Sequence, residues 1–549
     1  MFGISIKTSS QMHGVSALND GVDVMSFFMT HVFPELQDTN HSARPMLKAT
    51  ALKFVNTFRN QFTVEQFTGL MPLLVHHLAS PVVVVHTYAA YTIERILVVK
   101  EGTPGMMNQN RQPTKFGRAQ LQPFLEGMFT ALFKIIDNVD LNENEHVMKC
   151  LMRSLSITGE GILPIIQIVV EKLTQALVRA AKNPRNPLYN HYMFESIAIL
   201  IRSVCKTDAS LTTPFEELLF PPFQTILTMD VSEFTPYVFQ VLAQLLEYRT
   251  SASGLGDAYK SLFAPLLSPA IWDRKGNIPA LTRLLRAYLG NAAGELFKAG
   301  HLKPMLGVFQ KLLVSKSTEQ HSFDLLKSII TFGTADVLQP YFKTIFQLLL
   351  TRLQAAKTPR FIRLVTHFFA LFVGKYGAPM FFDILNGMQP NLARTMLVQF
   401  WIPQIRKDQP TRLDAKTHIV GLTKVLCETP VLLADPQSAT VWVQLFTSVL
   451  HLMAASGSTQ TTTENNDEAV EVEISYDGAF SRLQFAQRAA FDPFASVTDV
   501  TVAFANGLSG LMTSQKNQVQ PLVQQALQAD PKLGPALDGL MKKTGTTLA

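Results

Sequence analysis

The sequence predicts an all-α fold, an α-solenoid of stacked helical hairpins. Three observations point there. Proline-led apolar stripes recur at a period of about 40 residues, with two helical stretches per period, as in helical repeat arrays. Examples are Pro123, Pro164, Pro222, Pro265, Pro304 and Pro340, with one longer step between Pro164 and Pro222 that implies an inserted loop. Strand-type alternation is scarce, Asn-Gly pairs are few, and Asn386-Gly387, which lies between apolar stripes, reads as a helix end. The chain has 549 residues, far more than one ordinary core needs. A repeat array escapes that limit because each unit buries its apolar face against its neighbours.

Residues 16–60 read as two helices, the second opening at Pro45, and helices near 65–79 and 81–99 follow. The stretch 100–118, with Gly102, Pro104, Gly105 and Pro113, reads as a loop. Helical pairs then succeed one another: 121–136 with 144–158, 162–182 with 190–206, 214–229 with 232–249, 258–272 with 278–290, 302–315 with 319–332, and 336–356 with 358–374. Further pairs lie near 378–406 and 411–451. Within 303–313, Met305, Leu306, Val308, Phe309, Leu312 and Leu313 make one broad apolar stripe, while Lys303, Gln310 and Lys311 fall on the wet side. Pro304 suits a first helical turn, where a missing N–H costs nothing. Residues 453–469 are small, β-branched and polar and break the pattern. The expected organisation is a solenoid over 1–452, a flexible polar and acidic loop over 453–477, and a helical cap over 478–549 with helices at 496–514 and 516–528.

Composition narrows the function. The apolar fraction, 47%, suits a folded chain. Three distant cysteines, Cys150, Cys205 and Cys427, offer neither a disulfide framework nor zinc spacing. Met1–Lys7 lacks the basic start and apolar core of a signal peptide, and no run of 18 uncharged apolar residues exists. No membrane insertion is therefore expected. The net charge of +6 conceals an asymmetry: from residue 425 onward six basic residues face twelve acidic ones, and none is basic between Lys424 and Arg482.

No phosphate-binding glycine loop, nucleophile elbow or H-E-x-x-H pattern is present. His76 and His77 are adjacent, so on a helix they point about 100° apart and do not converge on a metal. Glu216-Glu217 reads as the acidic start of a helix. The chain is therefore expected to be no enzyme, with no catalytic, cofactor-binding or metal-binding residues. Two charged groups stand out as partner-binding candidates. Lys343, Arg352, Lys357, Arg360 and Arg363 crowd the turn between two helices and read either as a solvated face or as a contact patch for an acidic partner. Nucleic acid is not expected there, because no aromatic–basic alternation accompanies them. Glu464, Asp467, Glu468, Glu471, Glu473 and Asp477 read either as a solubilising linker or as an acidic tether for a basic segment of a partner, with an attraction weakened by salt.

Several blocks, in order along the chain, carry a resemblance. They are Gln11–Val15, Val85–Ala90 with Glu94-Arg95, Asn190–Glu195, Phe234–Val241, Gly276–Leu281, Leu306–Leu312, Lys375–Ala378 and Ala479–Ala486. Jointly the sequence resembles the importin-α re-exporter family of the importin-β (karyopherin-β) superfamily. The resemblance implies a superhelix of HEAT repeats. It also implies a nuclear export receptor that binds importin-α with the GTP-bound small GTPase Ran, engages nuclear pore proteins and shuttles between nucleus and cytoplasm. It covers only the C-terminal half of that family or slightly more, so the chain is expected to be a fragment or one piece of a split receptor. The rival expectation is a static HEAT-repeat scaffold subunit.

Overall fold

The computed structural model describes residues 5–8, 14–19, 21–101, 113–141, 143–249, 254–408, 410–458, 482–488 and 490–544. The chain divides into two compact units. The first comprises Met1–Ser253, Lys275–Leu284 and Glu468–Arg488; the second comprises Gly254–Arg274, Leu285–Asp467 and Ala489–Ala549. Both are stacks of paired helices, as the period predicts. The exception is a short antiparallel hairpin, β1 (Ser5–Thr8) with β2 (Val15–Leu18), in the stretch where a first helix is expected from residue 16.

The first unit opens with α1 (Val24–Phe27), a π turn and α2 (Phe33–Gln37), followed by α3 (Pro45–Thr57), α4 (Val64–Leu78) and α5 (Val83–Ile96). It continues through α6 (Arg118–Leu121), α7 (Leu125–Ile136), α8 (Glu145–Thr158), α9 (Ile166–Ala181), α10 (Pro187–Cys205), α11 (Thr212–Thr228) and α12 (Thr235–Tyr248). Second helices pack on second helices, α5 on α8, α8 on α10 and α10 on α12; first helices do likewise, α4 on α7 and α9 on α11. Each row thus covers the apolar stripe that its helices could not bury alone.

Helix starts are set locally. Thr63 and Gln66 cap α4 reciprocally, with the Gln66 amide donating to Thr63 Oγ1 at 3.3 Å and the Thr63 amide to Gln66 Oε1 at 2.8 Å. The Asn186 side chain accepts from the Tyr189 amide ahead of Pro187 in α10. Prolines do not open every unit, however. Pro222 and Pro340 lie inside helices and Pro265 lies at a helix end. The period is carried by the apolar stripes, which recur whether or not a proline precedes them.

Between the first two of the three sequence segments of the second unit, Lys275–Leu284 returns to the first unit, so α14 (Ile278–Lys298) contributes to both. The second unit holds α13 (Asp257–Leu266), α15 (Leu302–Leu313), α16 (Glu319–Phe332), α17 (Ala335–Ala355), α18 (Pro359–Tyr376), α19 (Ala378–Asn386), α20 (Leu392–Met396) and α21 (Ile402–Lys407). It ends with α22 (Arg412–Glu428), α23 (Pro436–Ser458), α24 (Val500–Ala529) and α25 (Leu533–Thr544). In α15 the expected stripe is buried at Met305, Val308, Phe309, Leu312 and Leu313, with Leu306 half-buried. The break expected at residue 515 is a kink: α24 runs through Gln515, whose φ of −139° and ψ of 38° are non-helical.

The stacking row α16, α18, α22 and α24 closes tightly where α18 meets α22. A Cβ built on Gly421 would lie 2.6 Å from the Ala370 carbonyl oxygen and 2.9 Å from its Cα. Backbone cannot swing aside as a side-chain tip can, so Gly421→Ala must push the two helices apart. The expected loss is about 1–3 kcal/mol, read by urea denaturation; an unchanged midpoint would refute the close approach. Gly377, at φ +91°, turns the chain from α18 into α19, a conformation that side-chain-bearing residues resist.

Two stretches, Glu145–Ala181 and Pro436–Ala455, are long and apolar enough to cross a membrane by length and composition. The first is not one helix, because Gly159 at φ +53° breaks it between α8 and α9. The second is packed against α22 and α24.

Candidate partner-binding surfaces

In the first unit, an apolar run on α10, Tyr192-Met193-Phe194-Glu195-Ser196-Ile197-Ala198-Ile199-Leu200-Ile201, contains one carboxylate. Glu195 is fully buried. A buried charge is costly unless it is hydrogen-bonded. Its partners come from far along the chain. The Gln484 amide donates to Glu195 Oε1 at 2.5 Å and the Phe485 amide to Oε2 at 3.0 Å. One turn over, on α12, Gln240 Oε1 accepts from the Leu483 amide at 2.9 Å. Gln244 Nε2 donates to the Ala198 carbonyl at 2.9 Å and reaches the Phe485 carbonyl at 3.5 Å.

At the start of α14, Arg283 grips Glu247 with both Nε (3.0 Å) and Nη2 (2.8 Å) and donates from Nη2 to the Ala486 carbonyl at 2.5 Å. Arg488 donates to the Glu247 carbonyl and lies over the Tyr248 ring at 5.4 Å. Residues 482–488 therefore form a strap laid across α10, α12 and the first turns of α14. Leu483 and Ala486 are its buried side chains, while Arg482 and Arg488 are exposed.

Burial pushes the Glu195 carboxyl up to about 7, against the two strap amides, which lower it. Beside it His191 hydrogen-bonds Tyr237 Oη through Nδ1 at 3.2 Å, with Nε2 3.6 Å from Glu195 Oε1. Burial lowers the His191 ring to about 4, so it stays neutral at neutral pH. A second buried carboxylate, Glu94 on α5, has Arg95 Nε at 3.2 Å, Arg153 Nε at 3.5 Å and Lys149 Nζ at 3.8 Å. Burial raises its pKa, but these three cations more than offset that and hold the carboxyl below its ordinary range.

In the second unit the five basic candidates do not converge. Arg352 is an internal strut, reaching Glu319 Oε2 at 3.2 Å, donating to the Leu313 carbonyl at 3.3 Å and lying over the Phe361 ring at 5.2 Å. Arg360 approaches the other oxygen of Glu319 at 3.9 Å, but is about half exposed. Lys357 Nζ lies 5.9 Å from the Phe400 ring, and Arg363 lies 3.9 Å from Asp408. Lys343 is exposed more than three turns before the end of α17, on a cleft it shares with Tyr376, Asp383 and Glu428. The exposed trio Lys357, Arg360 and Arg363 remains a cationic edge at the α17–α18 turn; Arg352 is occupied within the fold.

Glu464, Asp467, Glu468, Glu471, Glu473 and Asp477 lie outside the described residues. Glu216 is not part of a first-turn acidic pair, since α11 begins at Thr212; it is buried and salt-bridged to Arg249. His77 is buried, with Nε2 hydrogen-bonded to the Leu36 carbonyl at 2.8 Å, which commits it to packing. No group of three metal-ligating side chains occurs among the described residues.

The family description "CAS/CSE protein, C-terminus" matches residues 94–534, and "Cse1" matches residues 1–93. Exportin-2 of Bos taurus, of Mus musculus and of Homo sapiens are each 37% identical to this chain over 530 residues, covering 96% of it and 53% of the relative. The chain spans about half the length of the curated relatives it matches. The solved structure of the exportin Cse1 in its cargo-free, cytoplasmic state is 28% identical, with a TM-score of 0.79, covering 98% of this chain and 53% of that one. Yeast importin-beta (Kap95p), at 12% identity and a TM-score of 0.54, covers 96% of this chain and 58% of that one and shares the fold.

Proposed function

Because the chain belongs to the CAS/CSE family, the family of exportin-2, we propose that it forms the C-terminal part of a nuclear transport receptor. In this reading the receptor binds importin-α together with GTP-bound Ran, passes nuclear pore proteins, and returns importin-α from nucleus to cytoplasm. It is a binding protein, not an enzyme, and it acts without membrane insertion. The observation that supports this reading is 37% identity sustained over 96% of the chain. The stacked hairpins agree with it: such arrays offer extended surfaces to whole folded proteins. Ligands would act on the stack by their differential affinity for its alternative curvatures.

The cationic edge of Lys357, Arg360 and Arg363 is proposed to meet an acidic surface of the cargo complex, and the segment 464–477 a basic one. Both are tested in a chimera in which this chain replaces the matching part of an exportin-2; for 464–477, neutralising its six carboxylates should weaken the complex at low salt, and equal affinity would remove the segment from the interface. Reversing the three cations to Glu should weaken the ternary complex about ten-fold or more at low salt, with the difference shrinking as salt rises. Unchanged affinity would remove the edge from the interface. The function itself is tested by capture from lysate with the chimera. GTP-dependent recovery of Ran with importin-α is expected. Nucleotide-independent recovery of a kinase or phosphatase instead would replace transport by a scaffold role.

A further inference from the structure

The strap is held mainly by its backbone. The amides of Leu483, Gln484 and Phe485 and the carbonyls of Phe485 and Ala486 are read by side chains of α10, α12 and α14. Its side chains contribute two small apolar anchors three residues apart, Leu483 and Ala486. A groove that reads main chain accepts any segment that presents the same amides and anchors.

The groove also has more hydrogen-bonding capacity than the strap uses. Gln244 Oε1, Arg283 Nη1 and His191 Nε2 are buried without a hydrogen-bond partner among the described residues. At the end of the strap Arg488 adds one more contact, donating to the Glu247 backbone carbonyl and lying over the Tyr248 ring.

We propose that α10, α12 and the start of α14 form a peptide-binding groove that residues 482–488 occupy in cis. The strap is a displaceable internal ligand. Its competitor is a segment of a partner protein with a leucine-sized and an alanine-sized residue at i and i+3, a turn that aims two adjacent amides at Glu195 and an arginine after the second anchor. Cis occupancy lowers the apparent affinity of any such segment by the fraction of time the groove stands open. The proposal stands on the groove alone and does not depend on the transport reading.

The test uses the full chain and a fluorescein-labelled peptide with the sequence of residues 481–490 as probe. Leu483→Asp in the chain unseats the strap, and Leu483→Ala does so more gently should the first variant fail to fold. The unseated chain is expected to bind the peptide about ten-fold or more tightly than wild type does. Adding Glu195→Ala to the unseated chain should remove that binding, as should Asp at the leucine of the peptide. Equal binding by wild type and the unseated chain, no binding by either, or binding indifferent to Glu195 would overturn the proposal. Hydrogen exchange on the wild type gives an independent arm. Displaceability requires the amides of Leu483, Gln484 and Phe485 to exchange by local opening, faster than the amides of α10. Exchange of both sets only with global unfolding would make the strap a fixed staple and overturn the proposal.

Discussion

Replacing Phe346 by Ala is expected to destabilise the second unit by about 3–5 kcal/mol. Phe346 on α17 is completely buried. Its ring meets four others: Phe368 at 5.6 Å, Phe369 stacked at 5.8 Å, Phe372 edge-on at 5.0 Å and Phe381 at 5.9 Å. Those rings belong to α18 and α19, so one side chain ties three helices. Truncation removes transfer free energy and leaves a hole walled by aromatic rings, which cannot collapse far without breaking their own contacts. Urea unfolding followed by tryptophan fluorescence isolates the effect, because Trp272, Trp401 and Trp442 all lie in the second unit. A control, Val314→Ala, changes an exposed side chain and should move stability by less than about 0.5 kcal/mol. A loss below about 1 kcal/mol for Phe346→Ala would contradict the packing role assigned to it.

The second unit is also expected to weaken by roughly 4 kcal/mol between pH 7.5 and pH 5, about 2 kcal/mol from each of two histidines. His418 on α22 is buried and accepts from Trp401 Nε1 at its Nδ1, 3.1 Å away. His367 on α18 stands beside it with ring centres 5.4 Å apart and has Asp414 Oδ1 at 3.5 Å. Burial lowers both to about 3; Lys327 adds to the effect on His367, while His367 lowers and Asp414 raises His418. These are bases with folded pKa values below the unfolded 6.5. The unfolded chain therefore binds the extra protons, and the stability present above pH 6.5 is lost as pH falls toward 3. His418→Gln keeps an acceptor for the indole but cannot charge, so it should remove about half of the pH dependence. A pH profile identical to wild type would show that His418 is not a source of the acid sensitivity.

Helix positions were legible because apolar periodicity is a local property. The apolar pattern pairs residues 302–315 with 319–332, and these fold as Leu302–Leu313 and Glu319–Phe332. Proline was a poorer guide. Pro340 sits inside α17, where the packing of Leu338, Phe342 and Ile345 on one face outweighs the missing backbone bond. The N-terminal hairpin β1–β2 is not legible in the sequence, because its four-residue strands are too short to show alternation.

The charged candidates show what a sequence conceals. Arg352 and Arg363 look alike in the sequence, yet Glu319 lies beneath one and the other is largely exposed. That difference depends on a helix 33 residues earlier. The strap was harder still, since Glu195 and Gln484 are 289 residues apart. Both lie in blocks that carried the family resemblance, and their joint meaning appears only when the chain is folded. One signal was available: a single carboxylate inside the apolar run 192–201 requires a buried donor somewhere in the molecule.

The most direct measurement of the transport reading is the coupling between two ligands on the chimera that carries this chain. Importin-α is titrated with Ran-GTP absent and then saturating, and Ran-GTP is titrated with importin-α absent and then saturating. An export receptor is expected to show an affinity gain of about ten-fold or more, equal in both directions because linkage is reciprocal. Importin-α binding that is indifferent to Ran-GTP, or no binding of either ligand, would contradict it.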